Sequence, residues 1–331
     1  MDDISIVFLA TMNQIDMLDR AASRYQHVKL RAYNLAAMDL PAIEEEVIRG
    51  GSPDILFMTF PSLQYFDDFK ESISRMKGDS KIVAVGKDIQ IWKLNTVPMD
   101  VAKTVYEYTS NSGQENYDRL LDYLLIKLCG ADIEERPPIE VPMHGLVNPK
   151  DLEHVYPDLE SYKEAYGWDE SKPAAALTIT RESWVARNVE LRACLFECLE
   201  KAGFNAVAVM SKPKDDPALN ALGLNNTFYQ LLVKDDKPLI DAFVINHYMI
   251  RDTVRTPEGN IELDELIRRM NIPIFCPMEL KGMTQADWEA SSGIGILEAT
   301  RIVVPEMQGF IEPIVMGVRR NSGTESDYVP V

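Results

Sequence analysis

The chain has 331 residues, 46% of them hydrophobic, enough for two α/β cores of ordinary size. Its 52 acidic residues against 34 Lys and Arg give a net charge of −18, which argues against nonspecific binding to nucleic acid. No apolar run approaches the roughly 18 residues of a membrane span. Met1-Asp2-Asp3-Ile4 lacks the basic region of a secretory signal, and four cysteines are too few for a disulfide scaffold, so a cytoplasmic, reducing setting is expected.

The first strand is expected at Ile4–Ala10 (ISIVFLA), with further strands at Val28–Ala32, Asp54–Phe60 and Lys81–Val85. Short apolar strands separated by helical stretches are the pattern of a parallel sheet. In the next helix Ser112 and Glu115 have capping-box spacing. Tyr117, Leu120, Leu121, Leu124, Leu125 and Leu128 form one apolar face there, and Gly130 supplies the stop. Residues 131–172 change character. Five prolines (Pro137, Pro138, Pro142, Pro149, Pro157) stand among many acids with no obvious strand, which reads as a linker or irregular arm. It carries Pro142-Met-His144-Gly145-Leu-Val-Asn-Pro149 and an aromatic group, Tyr156, Tyr162, Tyr166 and Trp168.

A second α/β pattern then begins. Strands are expected at Ala174–Thr180, Asn205–Met210, Ala242–Asn246 and Ile272–Cys276. A helix between the first two is expected to bury Leu191, Cys194, Leu195, Cys198 and Leu199 and to stop at Gly203; another covers Leu263–Met270. The expected fold is α/β: two flavodoxin-like or Rossmann-like units with parallel sheets, 1–130 and 173–331, joined by the arm 131–172. No sequence repeat relates the two. In the closing stretch Thr284 opens a helix, with Asp287 in capping-box position and Trp288 one turn in, expected to pack on the second sheet. The next helix is expected to end at Pro305, because proline disfavours helical geometry before it.

The order Trp288, Ser291, Gly293, Pro305-Glu306, Gly309, Glu312-Pro313-Ile314-Val315 resembles the large subunit of tetrapyrrole metal chelatases, the family of the cobaltochelatase large subunit and the magnesium chelatase H subunit. Tyr106-Glu-Tyr108, Gly113, Glu115-Asn116 with the leucine-rich helix, Ala174–Thr180 with Glu197–Gly203, and Asp241-Ala242-Phe243-Val244 also resemble it. The segment around His144 does so imperfectly, with Val147-Asn148 where the family has Tyr-His. Members are several times longer, so the resemblance implies an N-terminal portion of a tetrapyrrole-binding subunit. Its substrate would be a tetrapyrrole receiving cobalt or magnesium. Its partners would be AAA-type ATPase and adaptor chelatase subunits, with ATP used by the complex and no cofactor held tightly by this chain. On this reading the isolated chain neither hydrolyses ATP nor inserts metal. A non-enzymatic α/β module for subunit docking or corrinoid binding remains the alternative.

The residues themselves agree on ATP: there is no phosphate loop, and Val85-Gly86-Lys87-Asp88 has aspartate where a hydroxyl is needed. Gly293-x-Gly295-x-x-Glu298 follows a helix and lacks the third glycine of a dinucleotide loop. The cysteines are not read as a metal site, since Cys194 and Cys198 lie one turn apart among leucines, where thiols are core, and no His-x3-His or Cys-x-x-Cys pair is present. Candidate binding residues follow strand ends: Arg181 for a carboxylate or acetamide rim, Trp184 for stacking, and His247 as a proton acceptor or ligand. Each reads equally as an ordinary loop or helix-entry residue. Glu306 and Glu312 are candidate catalytic carboxylates, to take the inner N–H protons or hold the incoming cation, or else exposed turn residues.

Overall fold

The computed structural model describes residues 3–35, 40–60, 63–245, 253–293, 295–310, 314–320 and 328–331. The chain divides into two compact units, Met1–Val141 and Pro142–Val331. The first holds β1 (Ile4–Ala10), β2 (Val28–Asn34), β3 (Ile55–Phe60) and β4 (Lys81–Gly86), as expected to within two residues at each end. All three pairings are parallel and the order is β2-β1-β3-β4, that of a flavodoxin-like sheet. Ile6, Val7, Phe8 and Leu9 are buried on both faces, as a strand sandwiched between helix layers requires.

Helix Gln114–Cys129 buries the whole expected face, Tyr117 through Leu128, and ends at Gly130 in the left-handed region (φ 70°). At roughly 1.5–3 kcal/mol for each large apolar side chain, that face contributes on the order of 10 kcal/mol. The capping box at Ser112 and Glu115 is not formed. Ser112 closes the preceding helix, Met99–Asn111, with φ 58°, and Gly113 is the residue before the new one. Glu115 instead pairs with Arg119 at 2.9 Å and Arg136 at 3.2 Å.

Residues 131–144 are irregular, and their first part is stitched to these helices. Asn116, 1% exposed, accepts from Ile139 N at 2.8 Å and donates to Ile139 O at 2.9 Å and Ser112 O at 2.8 Å. Tyr108 donates its hydroxyl to Arg136 O, and Arg119 donates to Pro137 O at 2.7 Å. Buried Asp122 accepts from Tyr25 at 2.7 Å, Arg136 at 2.9 Å and Arg24. A segment with no ladder thus has its backbone groups satisfied by side chains.

In the second unit the chain runs through β5 (Gly145–Asn148), β6 (Asp151–Tyr156), helix Leu159–Tyr166, β7 (Ala174–Thr180) and β8 (Asn205–Ser211). The hairpin β9 (Val233–Lys234) and β10 (Lys237–Pro238) precedes β11 (Ala242–Val244). A second hairpin, β12 (Thr253–Thr256) and β13 (Gly259–Glu262), leads through helix Leu263–Met270 to β14 (Ile274–Phe275). Three strands close the unit: β15 (Met278–Thr284), β16 (Val315–Arg319) and β17 (Tyr328–Pro330). The main sheet is β14-β11-β7-β8-β5-β6. Its first four strands are parallel; β5 pairs antiparallel with β8 and β6. Read from β8, the parallel strands take the order second-first-third-fourth, the same as in the first unit.

The α/β class with parallel sheets is therefore as expected, but much of 131–172 is not an arm: Gly145–Tyr166 supplies two strands and a helix. Gly145 is required where it stands, because a Cβ there would lie 2.9 Å from Tyr156 O. The aromatic group packs into this unit's core. Tyr156 and Tyr162 meet edge to face at 5.5 Å, and Tyr162 donates to Ala206 O at 3.0 Å. β15 fills the stretch between Pro277 and the helix that Thr284 opens, where no element was expected. It belongs to the three-stranded sheet, so Trp288 follows that sheet and is half-buried. The Thr284–Asp287 capping box is present. Helix Ile296–Met307 runs through Pro305 rather than ending there.

Asn116→Ala removes three hydrogen bonds that hold Ile139 and Ser112. It is expected to cost about 1–3 kcal/mol, read as a fall in Tm of roughly 2–4 °C per kcal/mol. An unchanged Tm would show that the stitching does not stabilise the fold.

Candidate functional site

Open parallel sheets bind ligands beyond the strand carboxyl ends, at the point where the crossovers diverge. In the first unit that point lies between β1 and β3, whose ends are linked by hydrogen bonds through Gln14. Gln14 Oε1 accepts from the Thr59 hydroxyl at 2.8 Å and the Thr11 hydroxyl at 3.1 Å, spanning the two strand ends. In the second unit the point lies between β7 and β11. From β7 the chain crosses to β8 on one side, and from β8 it crosses back over β7 to β11 on the other.

β7 ends at Thr180, whose hydroxyl caps helix Arg181–Val185 by accepting from Ser183 N at 3.2 Å. Arg181 is 2% exposed, and its Nε donates to Pro142 O at 2.9 Å. Burial lowers its pKa to about 10, partly offset by Glu182, so it stays cationic at neutral pH. Trp184 is 7% exposed, and its indole N–H is buried with no hydrogen-bond partner among the described residues. Such a group costs about 1–3 kcal/mol unless something accepts from it.

The loop after β8 folds tightly on itself. Asp216 and Ala221 exchange backbone hydrogen bonds at 2.8 and 3.0 Å. Asp215 accepts from Gly223 N at 2.7 Å and Asn226 at 2.9 Å, and pairs with Arg255. Gly223 admits no side chain, since a Cβ would lie 2.7 Å from the backbone of both Asp215 and Lys214. His144 joins this loop: its Nδ1 accepts from Leu222 N at 3.2 Å, which leaves the proton on Nε2. Burial depresses its pKa, against a smaller upward pull from Asp215.

Of the residues singled out from sequence, the structure places Arg181 and Trp184 together beside the second switch point. His247, two residues past Ile245 and the end of β11, lies outside the described residues, as does Glu312. Glu306 is on a different element, exposed in the last turn of helix Ile296–Met307. His144 and Asp215 were not selected as site residues. The signal for them was position: one precedes the short strand β5, and the other lies in a polar loop after a strand. Among the described residues no three His, Cys, Asp or Glu are grouped to hold a metal, and no helix is long and apolar enough to cross a membrane.

This arrangement of parallel sheets defines a doubly wound α/β protein. The family model described as CobN/Magnesium Chelatase matches residues 106–331, and the chain belongs to that family. Two uncharacterized proteins of Methanocaldococcus jannaschii are 24% identical over 256 residues and 26% identical over 247 residues. The matches cover 76% and 72% of this chain but only 20% and 19% of those proteins, so the chain spans about a fifth of the curated relatives it matches. The fold is similar to that of the catalytic subunit of cobaltochelatase from Mycobacterium tuberculosis, with a TM-score of 0.62 and 17% identity, over 99% of this chain and 26% of that one.

A histidine whose folded pKa lies below its unfolded value binds its proton more readily when unfolded. Its contribution to stability is therefore complete above the unfolded pKa of about 6.5 and is lost as pH falls below it. On going from about pH 7.5 to about 5.5, the wild-type chain is expected to lose more stability than His144→Gln, measured by urea denaturation. Equal losses would place His144 in solvent.

Proposed function

We propose that this chain is a tetrapyrrole-binding portion of the large subunit of an ATP-dependent metal chelatase. The observation that carries the reading is the Arg181–Trp184 wall at the switch point of the second sheet, in a chain of the CobN/Magnesium Chelatase family. Trp184 carries a buried indole whose N–H is unsatisfied among the described residues, so a ligand reaching it would have to move part of its cover, and Arg181 supplies a cation held in a fixed place. A macrocycle with carboxylate or acetamide side chains supplies the matching flat surface and acceptors. His247, by its position after β11, is proposed for the opposite wall.

Insertion of a divalent ion requires loss of two inner N–H protons, and a carboxylate at the macrocycle face serves as base. Glu306 is assigned that role, with Glu312, once a longer subunit encloses the substrate. Its exposure is consistent with a group that works only when the rest of the subunit is present. The cation, cobalt or magnesium, is substrate rather than a resident of this chain, and ATP hydrolysis is assigned to AAA-type partner subunits working with an adaptor. This segment on its own therefore binds but does not catalyse, and a cytoplasmic location fits the ATP requirement.

The test is titration of the purified chain with a metal-free porphyrin bearing carboxylates, followed by quenching of tryptophan fluorescence. Saturable quenching is expected, with binding about 2–10-fold weaker in Trp184→Phe, the equivalent of one lost aromatic contact. Absence of saturable binding would exclude the proposed subsite. Glu306→Gln is expected to leave Tm and porphyrin binding unchanged, and to slow metal insertion when carried in a full-length large subunit. Insertion at the normal rate would remove Glu306 from the mechanism.

A further inference from the structure

Helix Glu190–Lys201 does not bury its cysteines as its leucine-rich pattern suggests. Its buried side chains are Leu191, Arg192 and Phe196. Arg192 turns that side inward because it pairs with Glu279 of β15, both less than a tenth exposed. The helix is thereby rotated, so that Cys198 is exposed and Cys194 half-buried at the margin, both as free thiols. They are one helical turn apart on a continuous helix, a spacing that brings Cβ atoms to about 5–6 Å on one face. Burial first, and Cys198 next, raise the pKa of the Cys194 thiol, so a metal binding there has to displace its proton.

We propose that Cys194 and Cys198 form a surface two-thiolate hook for a divalent cation of the zinc type. With metal–sulfur bonds of about 2.3 Å, two sulfurs on a tetrahedral edge stand about 3.8 Å apart. Two Cβ atoms at helical spacing, each with a freely turning C–S bond, reach that separation without moving the backbone. Hard cations such as magnesium are excluded by the sulfur donors. On binding, each S–H bond gives its proton to solvent as its sulfur bonds the ion. Two thiolates then neutralise the two positive charges, and no oxidant is needed.

Among the described residues no third His, Cys, Asp or Glu completes a cluster here. The nearest charged neighbours on the helix, Glu197 and Lys201, face each other at 3.5 Å. With two protein donors among the described residues, the remaining positions are left to water or an incoming ligand, as suits an exchangeable rather than a structural site. This inference does not depend on the tetrapyrrole reading, since the helix margin is separate from the Arg181–Trp184 wall.

The test is anaerobic titration of the reduced 331-residue chain with Co2+ alone, followed by sulfur-to-cobalt charge-transfer absorption. One equivalent is expected to saturate the band, and Zn2+ to abolish it. Cys194→Ser and Cys198→Ser should each weaken binding on the order of a hundredfold, because the second donor then no longer acts intramolecularly. Cys129→Ser with Cys276→Ser should leave the band unchanged. No charge-transfer band in the wild type would overturn the proposal. So would a band that survives Cys194→Ser with Cys198→Ser, or one lost on changing Cys129 and Cys276 in a chain that keeps its Tm.

Discussion

β7 is hydrogen-bonded on both sides to parallel partners, β8 through seven register positions and β11 through three. Parallel neighbours cannot be joined by a tight turn, so each needs a crossover. With one partner on each side, right-handed crossovers must leave on opposite faces of the sheet. The strand ends diverge there, and the sheet's edge has to be walled by whatever follows β7 and β8. The very short helix Arg181–Val185, the self-bonded loop 212–223 and the His144 segment are that wall. The wall is stiff because each part is tied to the backbone of another: Arg181 to Pro142 O, His144 to Leu222 N and Asp215 to Gly223 N.

The first unit repeats the strand order without repeating the sequence. A parallel sheet asks only for buried apolar strands and helices with one apolar side, a demand that many unrelated sequences meet. What differs is how the strand ends are linked. Gln14 spans the strand ends of the first sheet with its own side chain, so hydrogen bonds are spent internally where the second sheet leaves an indole donor unmatched among the described residues. Equal topology thus gives unequal sites, and the difference rests on a few polar side chains.

That contrast also explains what was legible in the sequence. β1, β3, β4, β7 and β8 are mainly apolar runs, and their burial on both faces needs no knowledge of partners, whereas the edge strand β2 (VKLRAYN) is mostly half-buried. β5 has only four residues in a proline-rich stretch, and it is a strand because β8 offers an antiparallel edge to it. The Ser112–Glu115 capping box had the right spacing, but Gly113 and Ser112 both take positive φ and break the helix between Met99 and Cys129 into two. The face of helix Glu190–Lys201 was misjudged for one reason: leucines were taken as its core side, whereas the buried Arg192–Glu279 pair fixes its rotation. Arg181 and Trp184 were singled out from chain position alone, as residues after a strand end, and the structure places them at the end of β7. His144 and Asp215 were missed because their roles arise only when the loop after β8 closes.

Charge gives the site its character. With 52 acids against 34 bases, most of the surface potential is negative. A guanidinium cannot escape burial by losing its proton, and Arg181, even at a pKa of about 10, remains charged at neutral pH. Its field is little screened, because it is buried rather than bathed in salt. On the tetrapyrrole reading proposed above, a ligand that brings apolar area along with its carboxylates or amide oxygens would gain from the fixed charge of Arg181, whereas a small free anion would meet mainly the repulsion of an acidic surface on approach. The strand order matters to that reading because it sets Arg181 and Trp184 on the one short helix that follows β7.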